Sequence, residues 1–557
     1  MYCDKENINI LTALLVKHGV RHVVVCPGSR NAPLAHNFNE CPELTCHSMT
    51  DERSAAFFAL GIRQQTLTSV AICVTSGSAL LNTLPGVAEA TYQQQGIIVI
   101  SADRPAAWIG QNDGQTLPQQ GALGCFVAKS VTLPEPRNDE ERWMCNRLIN
   151  EAMIAHKGMA HPSVHINIPI SEPLFTFSTP QLPEERMVRT ADWHCASERN
   201  DVTKMFWQSE RRMIIAGQMP KNNSIDSILT DLSEYAVVLG EPISCSCEHP
   251  ILTDQMLHAI GNNNEDYHPE CVIYIGGNTI SKRLRHFMRS MKKDTVFINI
   301  CTDGELHDIS QNTSILIDAH PETVLSDLMC CAQNIVKHNA FCTIWNRLRE
   351  SLQTKLNNYV MRFSQTMAVK EFEQRIGSNA SIVYYANSMV IRLSALYSGA
   401  YRYCNRGLNG IEGSLSVAAG AAAAVAATGS KENIYCIIGD LSFFYDENAL
   451  WQRSLSPNLR IMLLNNGRGG IFGMLNGLSD SPAHNGLVDG QHYATAEGAC
   501  MQHNLLYLRA DDANTLQEGL ERLQKDSNGK AVLLEVFTDP ETDMELYAEL
   551  YNYIKQE

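Results

Sequence analysis

Residues 435–442 have the sequence YCIIGDLS, and residues 460–470 have the sequence RIMLLNNGRGG. Each is a short apolar run that ends in a turn of glycine and polar residues, a pattern typical of a buried parallel strand and the loop that follows it. Open parallel sheets bind ligands at the carboxyl ends of their strands, where glycine lets the backbone approach a phosphate. The two stretches therefore predict an α/β domain with a ligand site at one edge of its sheet.

The polar residues of these turns are suited to a divalent cation. If the two strands are neighbours, Asp440 offers a carboxylate, Asn466 an amide oxygen and the region of Arg468 a backbone carbonyl. Magnesium prefers oxygen ligands in octahedral geometry and often takes some of them from phosphate groups. Either turn alone is more simply an ordinary turn, since Asp, Asn and Gly favour turns. The pair, each closing an apolar strand, favours a site for a metal ion and a diphosphate.

The composition is that of a large globular protein. The chain has 557 residues, of which 44% are hydrophobic and 19% charged, and its length predicts about three or four domains. Its formal net charge of −16 argues against nucleic acid or an anionic membrane as the main partner. We find no signal peptide and no apolar run of membrane-spanning length. The 18 cysteines are scattered, so we expect reduced thiols and a cytoplasmic protein.

Strand patterns alternate with helical patterns along the chain. This alternation predicts three consecutive doubly wound α/β domains with parallel sheets. We place the domains at residues 1–178, 190–335 and 345–557, with a proline-rich linker after the first. The alanine-rich stretch 417–427 is interpreted as a helix packed closely on a sheet, and a further helix is expected to begin near Asp446.

The two turns together resemble the paired motif with which thiamine-diphosphate-dependent enzymes hold their cofactor and its metal ion. The third residue of that motif is usually glycine, whereas here it is Leu441. Gly-Asp-Leu-Ser followed by Tyr445 and Asp446 is similar to one family in particular, the 2-succinyl-5-enolpyruvyl-6-hydroxy-3-cyclohexene-1-carboxylate synthases (SEPHCHC synthases) of menaquinone biosynthesis. The resemblance extends along the chain, through residues 26–33, 75–79, 102–105, 387–392 and 405–411.

The resemblance implies thiamine diphosphate with Mg²⁺ or Mn²⁺, bound between two subunits of a homodimer or homotetramer. It implies that Glu52 contacts the aminopyrimidine ring and activates the cofactor, although a glutamate in a first helical turn is commonly only a partner of the helix dipole. It implies that Ile411 supports the cofactor, although without the resemblance an isoleucine would be interpreted as a residue of the hydrophobic core. The implied cofactor-binding residues are Pro27, Glu52, Gly410, Ile411, Gly439, Asp440, Leu441, Ser442 and Asn466. The implied metal ligands are Asp440, Asn466 and Arg468.

The implied reaction joins 2-oxoglutarate to isochorismate with loss of carbon dioxide. Each substrate carries two carboxylates, so several cationic side chains are expected around them. The implied substrate residues are Ser29, Arg30, Arg104, Gln115, Lys282, Arg283, Ser388, Arg392, Arg406, Ile471, Phe472 and Leu475, and the implied catalytic residues are Glu52, Gln115 and Arg392. Each of these cationic side chains could instead form only a surface salt bridge. This alternative is strongest for Lys282 and Arg283, which fit a solvated basic helix face equally well. No histidine lies within the recognised motifs.

Two other functions stay open from the residues alone. One is a different thiamine-diphosphate enzyme, either an acetohydroxyacid synthase or a simple 2-oxo acid decarboxylase. Leu441 and the set of arginines argue against it, because those substrates carry fewer carboxylates. The other is a nucleotide-binding regulatory or scaffold protein, but the glycine turns of the middle region lack the Gly-x-Gly-x-x-Gly spacing.

Overall fold

The computed structural model describes most of the chain. The described residues are 1–157, 160–185, 187, 199–245, 251–261, 265–292, 294–303, 307, 309–310, 312–333, 335–453, 455–474, 478, 481–525 and 529–555. Within these ranges, no helix combines the length and the apolar character that crossing a membrane requires.

The N-terminal domain is built on a six-stranded parallel sheet of order β2-β1-β3-β4-β6-β5. Its strands are β1 His22–Val25, β2 Thr45–Ser48, β3 Val70–Val74, β4 Ile98–Asp103, β5 Lys129–Thr132 and β6 Val164–Pro169. Its helices are α1 Glu6–Lys17, α2 Ala32–Glu40, α3 Glu52–Thr66, α4 Ser78–Asn82, α5 Leu84–Tyr92 and α6 Asp139–His156. Every residue of β3 and β4 is buried, as expected of central strands covered on both faces.

The middle domain has a five-stranded parallel sheet of order β11-β10-β9-β7-β8. Its strands are β7 Arg212–Ala216, β8 Val237–Leu239, β9 Cys271–Ile275, β10 Val296–Cys301 and β11 Ile315–Asp318. Its helices are α7 Arg199–Gln208, α8 Asn223–Leu232, α9 Thr253–Ile260, α10 Lys282–Ser290 and α11 Pro321–Cys330.

The C-terminal domain has a second five-stranded parallel sheet, of order β12-β13-β14-β16-β15. Its strands are β12 Val383–Tyr385, β13 Ile434–Gly439, β14 Leu459–Asn465, β15 Leu506–Ala510 and β16 Val532–Phe537. The helices from residue 340 onward are α12 Ala340–Asn358, α13 Gln365–Phe372, α14 Met389–Tyr397, α15 Ser414–Ala427, α16 Asp440–Tyr445, α17 Glu497–Gln502, α18 Ala513–Gln524 and α19 Pro540–Lys555. The three parallel sheets confirm the predicted fold class, while the exact domain boundaries stay predictions.

Two details differ from the sequence-based expectations. Near Asp446, where a helix was expected, only a single 3-10 turn begins, at Glu447–Leu450, and the helix α16 precedes it, starting at Asp440 directly after β13. The alanine-rich helix α15 packs on β13, as predicted, but its more extensive contact is with α3 of the N-terminal domain. Small side chains on both helices allow this second contact, which sequence periodicity alone does not reveal.

The crossing of α3 and α15 depends on two glycines. A Cβ atom added to Gly61 would lie 2.0 Å from the carbonyl oxygen of Val417, and one added to Gly420 would lie 2.2 Å from the carbonyl oxygen of Phe58. Both close neighbours are backbone atoms of rigid helices. The N-terminal and C-terminal domains of one chain are therefore joined by a close helix contact.

We expect Gly420→Ala to destabilise this junction by about 1–3 kcal/mol, because overpacking a tight contact costs about that much. The measurement is the urea unfolding midpoint. The matched control is Gly498→Ala on α17, where an added Cβ meets nothing within 4 Å. That control should stabilise its helix by about 0.5–1 kcal/mol. Equal midpoints for the two variants would contradict the close packing.

Candidate active site

The turn after β13 and the turn after β14 lie side by side. The two strands pair in parallel, with Ile434 opposite Leu459 and Gly439 opposite Leu464. The buried Asp440 carboxylate accepts through Oδ2 from the backbone N–H of Asn466 at 3.0 Å and of Gly467 at 2.8 Å. The structure therefore brings the Gly-Asp and Asn-Asn turns into direct contact.

The donor groups of this edge fit a magnesium–diphosphate unit. The Asn466 amide nitrogen donates to Asp543 Oδ2 at 3.0 Å, so the amide oxygen points away from Asp543 and is available as a ligand. Among the described residues, no group of three or more His, Cys, Asp or Glu side chains is placed to hold a metal ion. A cation here would rely on one carboxylate, neutral oxygens and phosphate, which is the chemistry of Mg²⁺ and Mn²⁺ and not of zinc.

Sequence reasoning missed His492, which contacts the same carboxylate. Its Nε2 lies 3.5 Å from Asp440 Oδ2, and its backbone N–H donates to the Gly467 carbonyl oxygen at 2.8 Å. The nearby Asp440 carboxylate raises the pKa of His492. The loop of residues 489–492 thus holds the Asn466 turn in place. No motif identifies this histidine, because its proximity to Asp440 arises only from folding.

Asp446, which ends the resemblance motif, has a structural role. Its carboxylate accepts from the backbone N–H of Ser416 at 2.8 Å and from the Ser416 hydroxyl at 2.7 Å, in the first turn of α15. Burial raises the pKa of this carboxyl from its ordinary 3.8 to about 6. Its ionised form is therefore costly in the folded protein.

We expect Asp446→Asn to stabilise the protein, by about 1–3 kcal/mol at pH 8. Because the folded-state pKa is raised, the carboxyl's contribution to stability is complete below pH 3.8 and is lost as the pH rises through about 6. The amide can still accept from the Ser416 N–H and donate to its hydroxyl. The thermal midpoint of Asp446→Asn should exceed that of the unsubstituted protein by more at pH 8 than at pH 5. The exposed control Asp511→Asn should leave the thermal midpoint unchanged at both pH values. A gain that does not depend on pH would contradict this interpretation.

The loop of residues 405–411 is held by Asn387. The Asn387 amide nitrogen donates to the Gly410 carbonyl oxygen at 2.6 Å, and its oxygen accepts from Arg406 Nη1 at 3.2 Å. Ser388 follows with a φ of +69°, a conformation that serine rarely adopts and that often marks functional sites. Ile411 is 36% exposed, so it is not a core residue within the chain.

The predicted residues of the N-terminal domain also share one sheet edge. Glu52 is the first residue of α3 and accepts from the Asn82 amide at 3.2 Å. Gly77, with a φ of +80°, lies so close to Gln115 that an added Cβ would be 3.1 Å from its backbone. Pro27 and Ser29 are exposed in the loop after β1. Because β1, β2, β3 and β4 are parallel, the loops that follow them lie at the same edge of the sheet as Glu52.

Two predicted arginines of this domain make internal contacts. Arg104 Nε donates to the Gly114 carbonyl oxygen at 3.0 Å and pairs with Asp113 at the same distance. Arg30 is buried and donates to the Ile170 carbonyl oxygen at 3.0 Å. Arg104 therefore holds the loop that carries Gln115, and part of each guanidinium is already engaged.

A cavity of about 480 Å³ lies between the middle and C-terminal domains. Lys282, Arg283, Arg392 and Ile471 are among its lining residues. Met544 also lines it, directly after the Asp543 that binds Asn466, so the cavity adjoins the proposed metal site. Phe472 is half-buried near Gly469. Leu475 lies outside the described residues.

Two further arginines lie behind this cavity. Arg406 is buried and donates to the Thr279 carbonyl oxygen at 3.3 Å, and no carboxylate of the described residues pairs with it. Burial lowers the pKa of its guanidinium. Arg285, which sequence reasoning missed, donates to the same carbonyl at 3.1 Å. Its place in the basic run of α10 predicted a solvated side chain, but the structure shows it half-buried and bonded to Thr279.

Within one chain, Glu52 and the Asp440 turn make no direct contact. The C-terminal residues that meet the start of α3 are Tyr445, whose carbonyl accepts from Arg53 at 3.2 Å, and Asn448, which donates to Asp51 at 3.2 Å. The start of α3 is thus in contact with the end of α16 and the turn that follows it, whereas Glu52 and Asp440 themselves do not touch in a single chain.

Comparisons with known proteins agree with these observations. Residues 8–123 match the family described as "Thiamine pyrophosphate enzyme, N-terminal TPP binding domain". A SEPHCHC synthase of Bacteroides thetaiotaomicron is 39% identical over 100% of both chains. One of Flavobacterium johnsoniae is 33% identical over 93% of this chain and 94% of its own, and one of Desulfotalea psychrophila is 32% identical over 96% and 99%. With the paired turns in contact and relatives of this identity along its whole length, the chain belongs to the SEPHCHC synthase family of thiamine-diphosphate-dependent enzymes.

Proposed function

We propose that this chain is a transferase that joins 2-oxoglutarate to isochorismate with release of carbon dioxide, forming 2-succinyl-5-enolpyruvyl-6-hydroxy-3-cyclohexene-1-carboxylate in menaquinone biosynthesis. The observation that carries the proposal is the group of cations around the cavity beside the Asp440 turn. Lys282, Arg283 and Arg392 line that cavity, and Arg285 and Arg406 lie close behind it. Such a group suits substrates with several carboxylates.

The residues of the C-terminal turns hold the cofactor. Asp440, Asn466 and the Arg468 carbonyl would bind the metal ion, and the backbone N–H groups of the glycine-rich turns would bind the diphosphate. When bound, thiamine diphosphate supplies the electron sink that lets a 2-oxo acid lose carbon dioxide and join a second substrate. Arg392 and Gln115 orient the reacting carboxylates, and Ile471 and Phe472 contact the isochorismate ring.

The catalytic unit is a homodimer, alone or within a tetramer. Glu52 of one subunit reaches the cofactor held by Asp440 of the other. Exposed apolar side chains near both half-sites support this arrangement, since such groups favour a protein contact. They are Trp108 at 56%, Tyr445 at 51%, Trp451 at 56% and Leu408 at 41% exposure. Buried cysteines such as Cys26, Cys73 and Cys436 are free thiols, which suits a reducing compartment such as the cytoplasm.

The direct test is carbon dioxide release by the purified chain with thiamine diphosphate and Mg²⁺. We expect 2-oxoglutarate to be the preferred donor over pyruvate, and isochorismate to accelerate the release. A preference for pyruvate would indicate an acetohydroxyacid synthase or a simple decarboxylase instead. Thermal midpoints provide a second readout, because a ligand that binds only the native state must raise them.

A further inference from the structure

Arg283 is held in one orientation although it lies on the exposed side of α10. Its Nη1 donates to Asp254 Oδ2 at 2.6 Å, and its guanidinium carbon lies 5.0 Å from the centre of the Tyr551 ring. A charge-assisted hydrogen bond and a cation–π contact together restrain a side chain that would otherwise sample many rotamers. This environment differs from that of a solvated basic helix face.

Asp254 connects three elements. Besides Arg283, it accepts from the Tyr551 hydroxyl at 2.9 Å and from the Ser281 hydroxyl at 2.5 Å. Ser281 is also the N-cap of α10, where its hydroxyl oxygen accepts from the Leu284 N–H at 3.0 Å. One carboxylate of α9 therefore fixes the start of α10 and attaches it to the C-terminal helix α19.

The hydrogen-bond direction at Tyr551 is also fixed. The buried Gln255 amide donates to the Tyr551 hydroxyl oxygen at 3.1 Å, which leaves the hydroxyl proton for Asp254. Burial raises the pKa of Tyr551 well above its ordinary value, so the hydroxyl stays protonated. Asp254 thus has a permanent neutral donor as well as its cationic partner.

This arrangement leaves most of Arg283 available to a ligand. A guanidinium has five N–H donors, and Asp254 takes one nitrogen of the fork. Arg283 lines the cavity together with Lys282, Arg392 and Ile471. The nearby acids are Asp254, already bonded to three donors, and Glu241, whose oxygens accept from the backbone N–H groups of Ile280 and Ser281. The open cavity surface is therefore cationic.

We propose that Asp254 and Tyr551 are positioning residues that orient Arg283 toward a carboxylate of the ring substrate, isochorismate. The inference rests on the function proposed above and extends it, because it assigns a role in substrate recognition to α9 and to the C-terminal helix α19. Neither helix carries a residue that the sequence pattern marks as functional.

The test is steady-state kinetics of the holoenzyme with Asp254→Asn and Tyr551→Phe. We expect Asp254→Asn to raise the KM for isochorismate about tenfold, the loss expected from one charge-assisted contact. The KM for 2-oxoglutarate and the rate of carbon dioxide release without isochorismate should stay within about twofold. Tyr551→Phe keeps the ring beneath Arg283 but removes the hydroxyl. It should therefore also raise only the KM for isochorismate, and by less than Asp254→Asn does.

The controls are Asp231→Asn, an exposed acid on α8, and Tyr553→Phe, which removes a hydroxyl from the same helix as Tyr551. Both should leave the two KM values unchanged. Equal increases in KM for both substrates in Asp254→Asn would indicate general damage to the fold and overturn the proposal. An unchanged KM for isochorismate would overturn it as well.

A double-mutant cycle provides the decisive comparison. If Asp254 acts through Arg283, Asp254→Asn should have no further effect on the isochorismate KM in an Arg283→Ala background. Fully additive effects on KM would show that Asp254 and Arg283 act separately. A normal KM for isochorismate in Arg283→Ala would show that Arg283 does not contact this substrate. Failure of the proposed function is distinguishable, since the unsubstituted enzyme would then show no response to isochorismate.

Discussion

Glu52→Gln is expected to lower kcat by about a hundred- to ten-thousandfold, the range typical for loss of a group that holds or moves a proton in catalysis. The amide has nearly the shape of the carboxylate and can still accept from Asn82, which lies 3.2 Å away. Stability should therefore change by less than about 0.5 kcal/mol. The measurement is carbon dioxide release at saturating substrate, with the thermal shift by cofactor and Mg²⁺ as evidence that binding persists.

The matched control is Glu140→Gln, because Glu140 also lies in the first turn of a helix and is exposed. If the helix dipole were the only partner of Glu52, both variants would have the same small effect. A normal kcat in Glu52→Gln would thus show that Glu52 has only a structural role.

Asp440→Asn is expected to abolish the stabilisation by thiamine diphosphate plus Mg²⁺ and to reduce activity below about 1% of the unsubstituted enzyme, since it removes the one charged ligand of the proposed metal site. Its carboxylate also accepts from the N–H groups of Leu441, Asn466 and Gly467. An amide cannot satisfy all three, so the protein without cofactor should lose about 1–3 kcal/mol of stability.

Removal of the metal ion from the unsubstituted enzyme with a chelator should abolish activity, as Asp440→Asn does. Without cofactor, however, the unsubstituted protein should keep the stability that Asp440→Asn loses. The control variant is Asp511→Asn, an exposed acid of the same domain. A normal cofactor-dependent thermal shift in Asp440→Asn would place the metal elsewhere.

Mixing the two inactive variants tests the proposed subunit arrangement. If Glu52 and Asp440 of different chains complete one site, random mixing of Glu52→Gln and Asp440→Asn chains makes half of the dimers mixed, each with one intact site. About a quarter of the full activity should then return. No recovery is expected if both residues act within one chain.

Much of the site could be predicted because its strands are buried and its turns are short. β13 is apolar, β14 is apolar except for Arg460 and Asn465, and Asp440 and Asn466 directly follow the two strands. The apolar pattern therefore predicts where the strands end and which polar residues follow them. Four strands, β5, β6, β12 and β15, were not predicted. β5 and β15 are only partly buried and lack a continuous apolar run. β6 is interrupted by His165 and Asn167, and β12 has only three residues.

The sequence by itself determined the three parallel sheets, the paired turns and the residue types that suit a metal ion and a diphosphate. Only the tertiary structure decided that His492 contacts Asp440, that Arg285 and Arg406 share the Thr279 carbonyl, and that Asp254 and Tyr551 restrain Arg283. The physical reason is distance along the chain. Apolar periodicity and turn preferences act over a few residues, whereas these contacts join residues from separate elements, many of them far apart in sequence, and exist only after the helices and sheets have packed.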